Sequence, residues 1–262
     1  MGNTDQFAQL IKDIFASRED IFAIRWEEGS KNGYTPAMIF DPFRYKMHKI
    51  HGSTFKDFNG KEYRILTESE IDRHIKGEQF IGIYPLLKDN TSWFIVADFD
   101  EENWIEQCRL FIKVCEESKI PAYLERSRSG NGGHVWIFFE KSYPARRSRK
   151  IIIHLLQKIG IFSIYDKASS FDRLFPNQDM LSGKGFGNLI ALPFNELAME
   201  KGNCCFIDPE TLDHASELAQ TEDALELSWP HRRRREAHKH GEMLFHVWQW
   251  KHALGDARML GY

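Results

Sequence analysis

Apolar residues recur along the chain at two periods, and the switches between them predict the order of elements. In TDQFAQLIKDIFA (4–16), Phe7, Leu10, Ile11, Ile14 and Phe15 share one stripe at helical spacing, and Thr4 or Asp5 can cap it. IFAIRW (21–26) is short, apolar and β-branched, which predicts a strand. Residues 28–63 mix Gly, Lys, His and aromatic residues without a period, and predict an irregular loop or small ribbon. TESEIDRHIKG (67–77) predicts a helix, with Thr67 and Glu70 spaced as a capping box and Gly77 as its stop.

The most ordered stretch follows. WFIVADFD (93–100) is an apolar run ending in acids, which predicts a buried strand. ENWIEQCRLFIKVCEESK (102–119) predicts an amphipathic helix, with Pro121 behind it. AYLERSRS (122–129) and HVWIFFE (134–140) predict two strands joined in a hairpin by the turn GNGG (130–133). PARRSRKIIIHLLQKIG (144–160) predicts a second helix stopped at Gly160. After a loop-rich part around SSFDRLFPNQD (169–179), GNLIALPF (187–194) predicts a last strand. Strand, helix, hairpin, helix, strand is a split βαβ order. It predicts an α+β fold whose sheet is mainly antiparallel, with helices packed on one face.

Composition narrows the class. The 262 residues allow one large domain or two small ones. With 42% hydrophobic and 28% charged residues the chain is an ordinary globular protein, not a disordered one. The net charge of −3 means that any nucleic-acid contact must come from local basic patches. The four cysteines form no C-x-x-C pair and predict buried thiols in a reducing cytosol. Without a signal-like opening or an apolar run of membrane-spanning length, a cytoplasmic protein with no membrane partner is expected.

Three constellations carry chemistry. Asp98 and Asp100 flank Phe99 at a strand end, so alternation puts both carboxylates on one face, about 6–7 Å apart along the chain. Two anions so close repel unless a cation joins them, and hard oxygen donors suit Mg²⁺ or Mn²⁺. The same acids could instead cap the next helix, together with Glu101 and Glu102. The second constellation is Gly130, Gly132 and Gly133 before His134, with Arg126 and Arg128 ahead of them. Glycines let backbone amides turn toward an anion, and the His and Arg side chains can add phosphate contacts; a tight hairpin turn also uses glycines. The third is Asp172 and Asp179, candidate third carboxylates, with Arg173 and Lys184 as phosphate contacts.

D-x-D on a strand, then S-G-x-G-x-H, then a downstream Asp resembles the motif order of archaeo-eukaryotic primases. The resemblance is closest to the primase domain of the bacterial TOTE conflict systems, which pair such a domain with a helicase and a nuclease. The phrases that carry it are REDIFAIRWE (18–27), GIYPLLKDNTSWFIVADFD (82–100), LERSRSGNGGHVWIFFE (124–140), and FDRLFPNQD with GFGNLIALPF (171–194). The resemblance implies the archaeo-eukaryotic primase fold with an RRM-like core. It implies an N-terminal αβ module over 1–90, a catalytic core over 91–207 and a C-terminal extension of unknown role over 208–262. By position, Asp98, Asp100 and Asp172 match the metal ligands, with Asp179 as the fallback for the third. His134 matches the nucleotide-phosphate histidine and Ser129 the serine of the second motif. Similar proteins carry cysteines resembling a zinc-binding knuckle in the region of 40–60. This chain has none there, and His48 and His51 are too few for a structural zinc site.

The expected activity is a primase-polymerase reaction. Two Mg²⁺ or Mn²⁺ ions on Asp98, Asp100 and Asp172 serve attack of a 3′-hydroxyl on the α-phosphate of an NTP or dNTP. Ser129, the 130–133 turn, His134, Arg173 and Lys184 hold the triphosphate. Arg126, Arg128, Arg146, Arg147 and Arg149 grip a single-stranded or primed template, and a helicase or nuclease partner is implied. Two alternatives use similar residues: a metal-dependent nuclease drawing on Glu125, and a non-catalytic nucleic-acid or nucleotide sensor that kept the pocket. HRRRR (231–235) reads as a phosphate-binding run or a solvated helix face.

Overall fold

The structure of the chain, a computed structural model, describes residues 3–55, 57–161, 170–183 and 185–212. Lys184 and the basic run 231–235 lie outside the described residues, as does most of 208–262. The elements in order are α1 (Asn3–Ile14), β1 (Ala23–Glu28), β2 (Lys31–Pro36), β3 (Met38–Phe40), α2 (Pro42–Ile50), β4 (Lys61–Tyr63), α3 (Glu68–Ile75), β5 (Ile81–Ile83), β6 (Thr91–Asp100), α4 (Trp104–Glu117), β7 (Tyr123–Arg126), β8 (Gly132–Pro144), α5 (Ala145–Lys158), β9 (Phe171–Phe175), β10 (Ile190–Ala191), α6 (Glu196–Met199) and β11 (Cys205–Phe206).

The larger sheet runs β11-β7-β8-β6-β9, antiparallel throughout. Strands β6 and β7, joined through α4, are separated by β8; β8 and β9, joined through α5, are separated by β6. Each is a split βαβ unit, as the sequence pattern predicts. The identity of the last strand differs. The place beside β6 belongs to β9, FDRLF, where the sequence suggests a loop. GNLIALPF supplies only β10, which pairs with β5 in a second sheet, β10-β5-β1-β2. FDRLF hides from pattern reading because it is five residues long and carries two charges in the middle.

The two faces of β6 explain its unbroken apolar run. Ile95, Ala97 and Phe99 pack on the helix side with Cys108 and Phe111 of α4 and Ile152 and Leu156 of α5. Phe94 and Val96 pack on the other side with Ile11, Phe15, Phe22, Ile71 and Ile83. A strand covered on both faces needs no polar side. Trp136 of β8 anchors the second face, edge-on to Phe15 at 5.1 Å and stacked on Phe138 at 5.8 Å. Burying a ring such as that of Phe15 contributes about 1.5–3 kcal/mol. The face away from α4 and α5 therefore carries α1, α3 and the second sheet, and its row of apolar residues continues directly into Asp98 and Asp100. Helices thus cover both faces rather than the one that the sequence pattern predicts.

The stretch 28–63 is more regular than its sequence suggests. It holds β2, the β3–β4 ribbon and the nine-residue α2. Asp41 caps α2, accepting from the N–H groups of Phe43 at 2.8 Å and Arg44 at 3.3 Å, with Pro42 at the first helical position. The rings of Phe40, Tyr45, Phe55 and Phe58 meet at 5.0–6.4 Å and hold helix to ribbon. His48 joins them, 5.2 Å from Phe58, with Nε2 3.1 Å from the Thr54 carbonyl.

His74 ties three segments together. Its Nδ1 accepts the Ile81 N–H at 3.1 Å and its Nε2–H donates to the Pro193 carbonyl at 3.0 Å, which fixes the neutral ring. Burial lowers its pKa to about 4. The unfolded chain therefore binds a proton below pH ~6.5 that the native ring refuses until about pH 4, so stability is full above that window and lost as pH falls through it. From pH 7 to 4.5 this group alone is expected to remove about 2–3 kcal/mol. Urea unfolding of the parent and of His74→Leu at both pH values checks it: the variant starts less stable but loses less on acidification. Equal losses in both proteins would remove His74 as the cause.

Candidate metal and nucleotide site

Strand register assembles the site as rows across the larger sheet. Tyr123, Trp136, Val96 and Phe175 form one row on the face away from α4 and α5. Two residues further along each strand, Glu125 stands opposite His134, His134 opposite Asp98, and Asp98 opposite Arg173. An apolar row thus gives way to a row of alternating charge: acid, base, acid, base. One step beyond, Asp100 stands opposite Gly132.

The third carboxylate comes from an irregularity. On β9, Arg173 pairs with Asp98 and Phe171 with Phe99, so Asp172 is an extra residue in the ladder. Such a bulge re-aims a side chain that regular alternation would send elsewhere. Asp98, Asp100 and Asp172 each offer an oxygen within 4.8 Å of the others. Asp98 is 8% exposed, while Asp100 and Asp172 face solvent. Burial, and then the neighbouring Asp98 charge, raises the pKa of Asp100. Arg173 donates to Asp172, and the charges of Asp98 and Asp100 further favour its protonated form. Three carboxylates gathered this closely form the hard-oxygen donor set that divalent cations take.

Beside the acids, His134 is held on both ring nitrogens. Nδ1 lies 2.9 Å from Glu125 Oε2 and Nε2 lies 3.4 Å from Asp98 Oδ1. Burial pulls the His134 pKa down, but the Glu125 charge and the hydrogen bonds to Asp98 and Glu125 outweigh it and raise it to about 10. The ring is then a cation with two N–H donors.

The family model of the TOTE conflict system, Archaeo-Eukaryotic Primase domain, matches residues 6–226. The chain belongs to this family. No curated protein matches it. The primase-domain fold accounts for the mixed helices and curled antiparallel sheet, and within it the sequence-derived candidates sort by place. Asp98, Asp100, Asp172, His134 and Arg173 come together on one face. Asp179 does not join them: its Oδ1 accepts from Arg149 Nε at 2.9 Å, and Arg149 also donates to the Pro176 carbonyl.

Ser129 is exposed in the 127–131 turn, where its Oγ accepts the Asn131 N–H at 3.3 Å and lies 3.1 Å from Ser127 Oγ. Gly130, with φ +79°, makes that turn, but Gly132 and Gly133 are strand residues of β8 rather than turn residues. Arg128 lies 3.7 Å from Glu27 and over the Phe80 ring at 5.9 Å, joining the turn to the second sheet. Arg126 stands opposite Gly133, in the row of Phe99 and Phe171, on the α4 side of the sheet. Arg146, Arg147 and Arg149 belong to α5, which packs on that same far side from Asp98.

Gly132 explains itself by close approach. A Cβ there would lie 2.4 Å from Asp100 Oδ1 and 2.6 Å from the Phe99 carbonyl oxygen. Gly132→Ala is expected to lower stability by about 1–3 kcal/mol and to displace Asp100. Thermal unfolding with and without Mn²⁺ reads both effects: a lower midpoint and a smaller metal-induced rise. An unchanged metal response would show that Asp100 keeps its place.

The residue that motif reading undervalues is Glu125. It is 0% exposed, and its Oε2 also accepts the Trp136 indole N–H at 2.6 Å. Alternation in YLER puts Glu125 on the face of the apolar Tyr123, which is the signal that could have found it, since a buried charge needs a specific partner.

Proposed function

We propose that the chain is a template-dependent nucleotidyltransferase, a primase-polymerase that adds nucleotides from NTP or dNTP to a 3′ end. The carrying observation is the acid trio Asp98, Asp100 and Asp172 beside the His134 ring, which Glu125 and Asp98 hold at its two nitrogens. The trio fits Mg²⁺ or Mn²⁺ by donor type and spacing. Bound there, divalent ions would activate the attacking 3′-oxygen and offset charge on the leaving pyrophosphate.

The protein's own groups do the rest. His134 offers Nε2–H to a phosphate oxygen, and its ring cannot turn while Glu125 holds Nδ1. Arg173, which donates to Asp172 beside the acids, can turn to a phosphate oxygen of the triphosphate. Ser129 and the turn at Gly130, at the start of β8, offer further donors to the triphosphate. Rate then comes from positioning and charge stabilisation in a preformed site. In this reading residues 1–90 close the acid face and 91–207 carry the catalytic core. A helicase or nuclease partner belongs to the same proposal.

The nuclease alternative needs Glu125 as a ligand, and the His134 ring stands between Glu125 and the trio. No helix among the described residues is long and apolar enough to cross a membrane. One assay tests the reading: Mn²⁺ or Mg²⁺, a labelled nucleotide and a primed single-stranded template. Extension of the primer is expected. Shortening would replace the reading with a nuclease, and binding without either would replace it with a sensor.

A further inference from the structure

Helix α2 carries an apolar stripe that the fold leaves uncovered. Phe43, Met47 and Ile50 lie at positions i, i+4 and i+7, on one side of the helix. They are 69%, 42% and 65% exposed. The opposite side carries Tyr45 and His48, which enter the ring cluster. Arg44 and Lys46 flank the stripe, and Lys49 is exposed in the last turn. The sequence has no acid from 42 to 56, in a chain of net charge −3. None of these three cations is ion-paired among the described residues.

Large apolar side chains left in water at one place mark a contact surface. The cations beside them select the partner. A duplex shows its phosphates but keeps its bases stacked inside, so Phe43, Met47 and Ile50 would gain nothing from it. An unpaired strand offers base faces and phosphates together, the pair of features that cations interleaved with an aromatic side chain match. The position agrees. Helix α2 is inserted between Ala37 and Leu66, both packed on the sheet face that carries Asp98. The Tyr63 ring at the end of its ribbon packs 5.0 Å from Phe186, in the loop after β9. The arginines of α5, by contrast, stand on the other side of the sheet.

We propose that α2 is a binding surface for single-stranded nucleic acid. Phe43, Met47 and Ile50 pack against unstacked bases, and Arg44, Lys46 and Lys49 neutralise phosphates. This deepens the nucleotidyltransferase reading by saying where its template is held, and it rests on that reading only for the strand's role as template.

The test is fluorescence anisotropy of a labelled oligothymidylate with the full chain, without metal, across a salt series. Phe43→Ala with Met47→Ser is expected to weaken binding about tenfold or more. Replacing Arg44, Lys46 and Lys49 by Gln is expected to reduce the salt slope by about 2, near 0.7 per cation on a single strand. All five side chains are at the surface, so an unchanged unfolding midpoint should accompany both results. Parent-like affinity and slope in the variants would overturn the proposal. So would a duplex of equal length that competes as well as the single strand. Loss of self-association in sedimentation, with strand affinity unchanged, would assign the stripe to a second copy and also overturn it. The two readings fail separately: α2-dependent binding without primer extension keeps the surface and removes the polymerase.

Discussion

Asp98→Ala is expected to reduce metal-dependent nucleotide addition by at least about a thousandfold while leaving the fold in place. Asp98 is the centre of the site: it faces His134 on one neighbouring strand and Arg173 on the other, and it is the buried member of the acid trio. Its removal leaves two exposed carboxylates, too few to hold ions in one geometry. The fold survives because Asp98 lies at the end of β6, past the apolar residues that make both cores. The substitution also removes the Asp98 charge, which after burial is the next cause that raises the Asp100 pKa. Two measurements check this. Primer extension with Mn²⁺ should vanish against the parent. The metal-induced rise in unfolding midpoint, about 2.7 kcal/mol at a hundredfold excess over Kd, should vanish with it. Asp179→Ala supplies the contrast. It releases Arg149 at the surface and should leave the metal response intact. If Asp179→Ala abolishes the response and Asp98→Ala does not, the trio is not the metal site.

The parts of this architecture that are legible in the sequence are those with long, two-sided patterning. WFIVADFD, the α4 and α5 stripes and the β7–β8 hairpin could be read because each buries six or more residues with one period. What escapes has a physical reason in each case. Strand β9 is short, and its bulge at Asp172 breaks alternation, so the feature that delivers the third carboxylate is also the one that hides the strand. Helix α2 buries no residue, so its apolar positions face water and give no core signal. Gly132 reads as a turn residue because glycine has two uses, and only the Asp100 contact shows which applies. Asp172 and Asp179 are equivalent to a reader of spacing alone. Place separates them: the bulge of β9 brings an Asp172 oxygen within 4.8 Å of Asp98 and Asp100, while Asp179 pairs with Arg149, thirty positions away in sequence.

Glu125→Gln should raise the KM for nucleotide about tenfold or more with a smaller change in kcat. The carboxylate is fully enclosed, and its Oε2 takes two donors, the His134 ring and the Trp136 indole. A buried anion is tolerated only because a cation pairs with it, so Glu125 and charged His134 maintain each other. The pair fixes Nδ1 as a donor and turns Nε2–H toward Asp98, where a phosphate oxygen can meet it. Glutamine keeps the volume, and its amide oxygen in the place of Oε2 can still accept from both Trp136 and Nδ1–H, but the negative charge that chiefly keeps the ring protonated is gone, so the proton is lost from Nε2. The ring loses its charge and its grip on a triphosphate weakens, while the acid trio is untouched. Charge-assisted contacts of this kind are worth about 1.5–3 kcal/mol, hence the expected change in KM. Glu125→Ala goes further: it opens a cavity and strands the Trp136 N–H, and should cost about 3–5 kcal/mol of stability. Steady-state kinetics and urea unfolding separate the two variants. A glutamine variant with parent-like KM but a lowered unfolding midpoint would make Glu125 a structural residue. The predicted pattern, affinity lost with the fold and metal response retained, would make it the residue that sets the His134 ring.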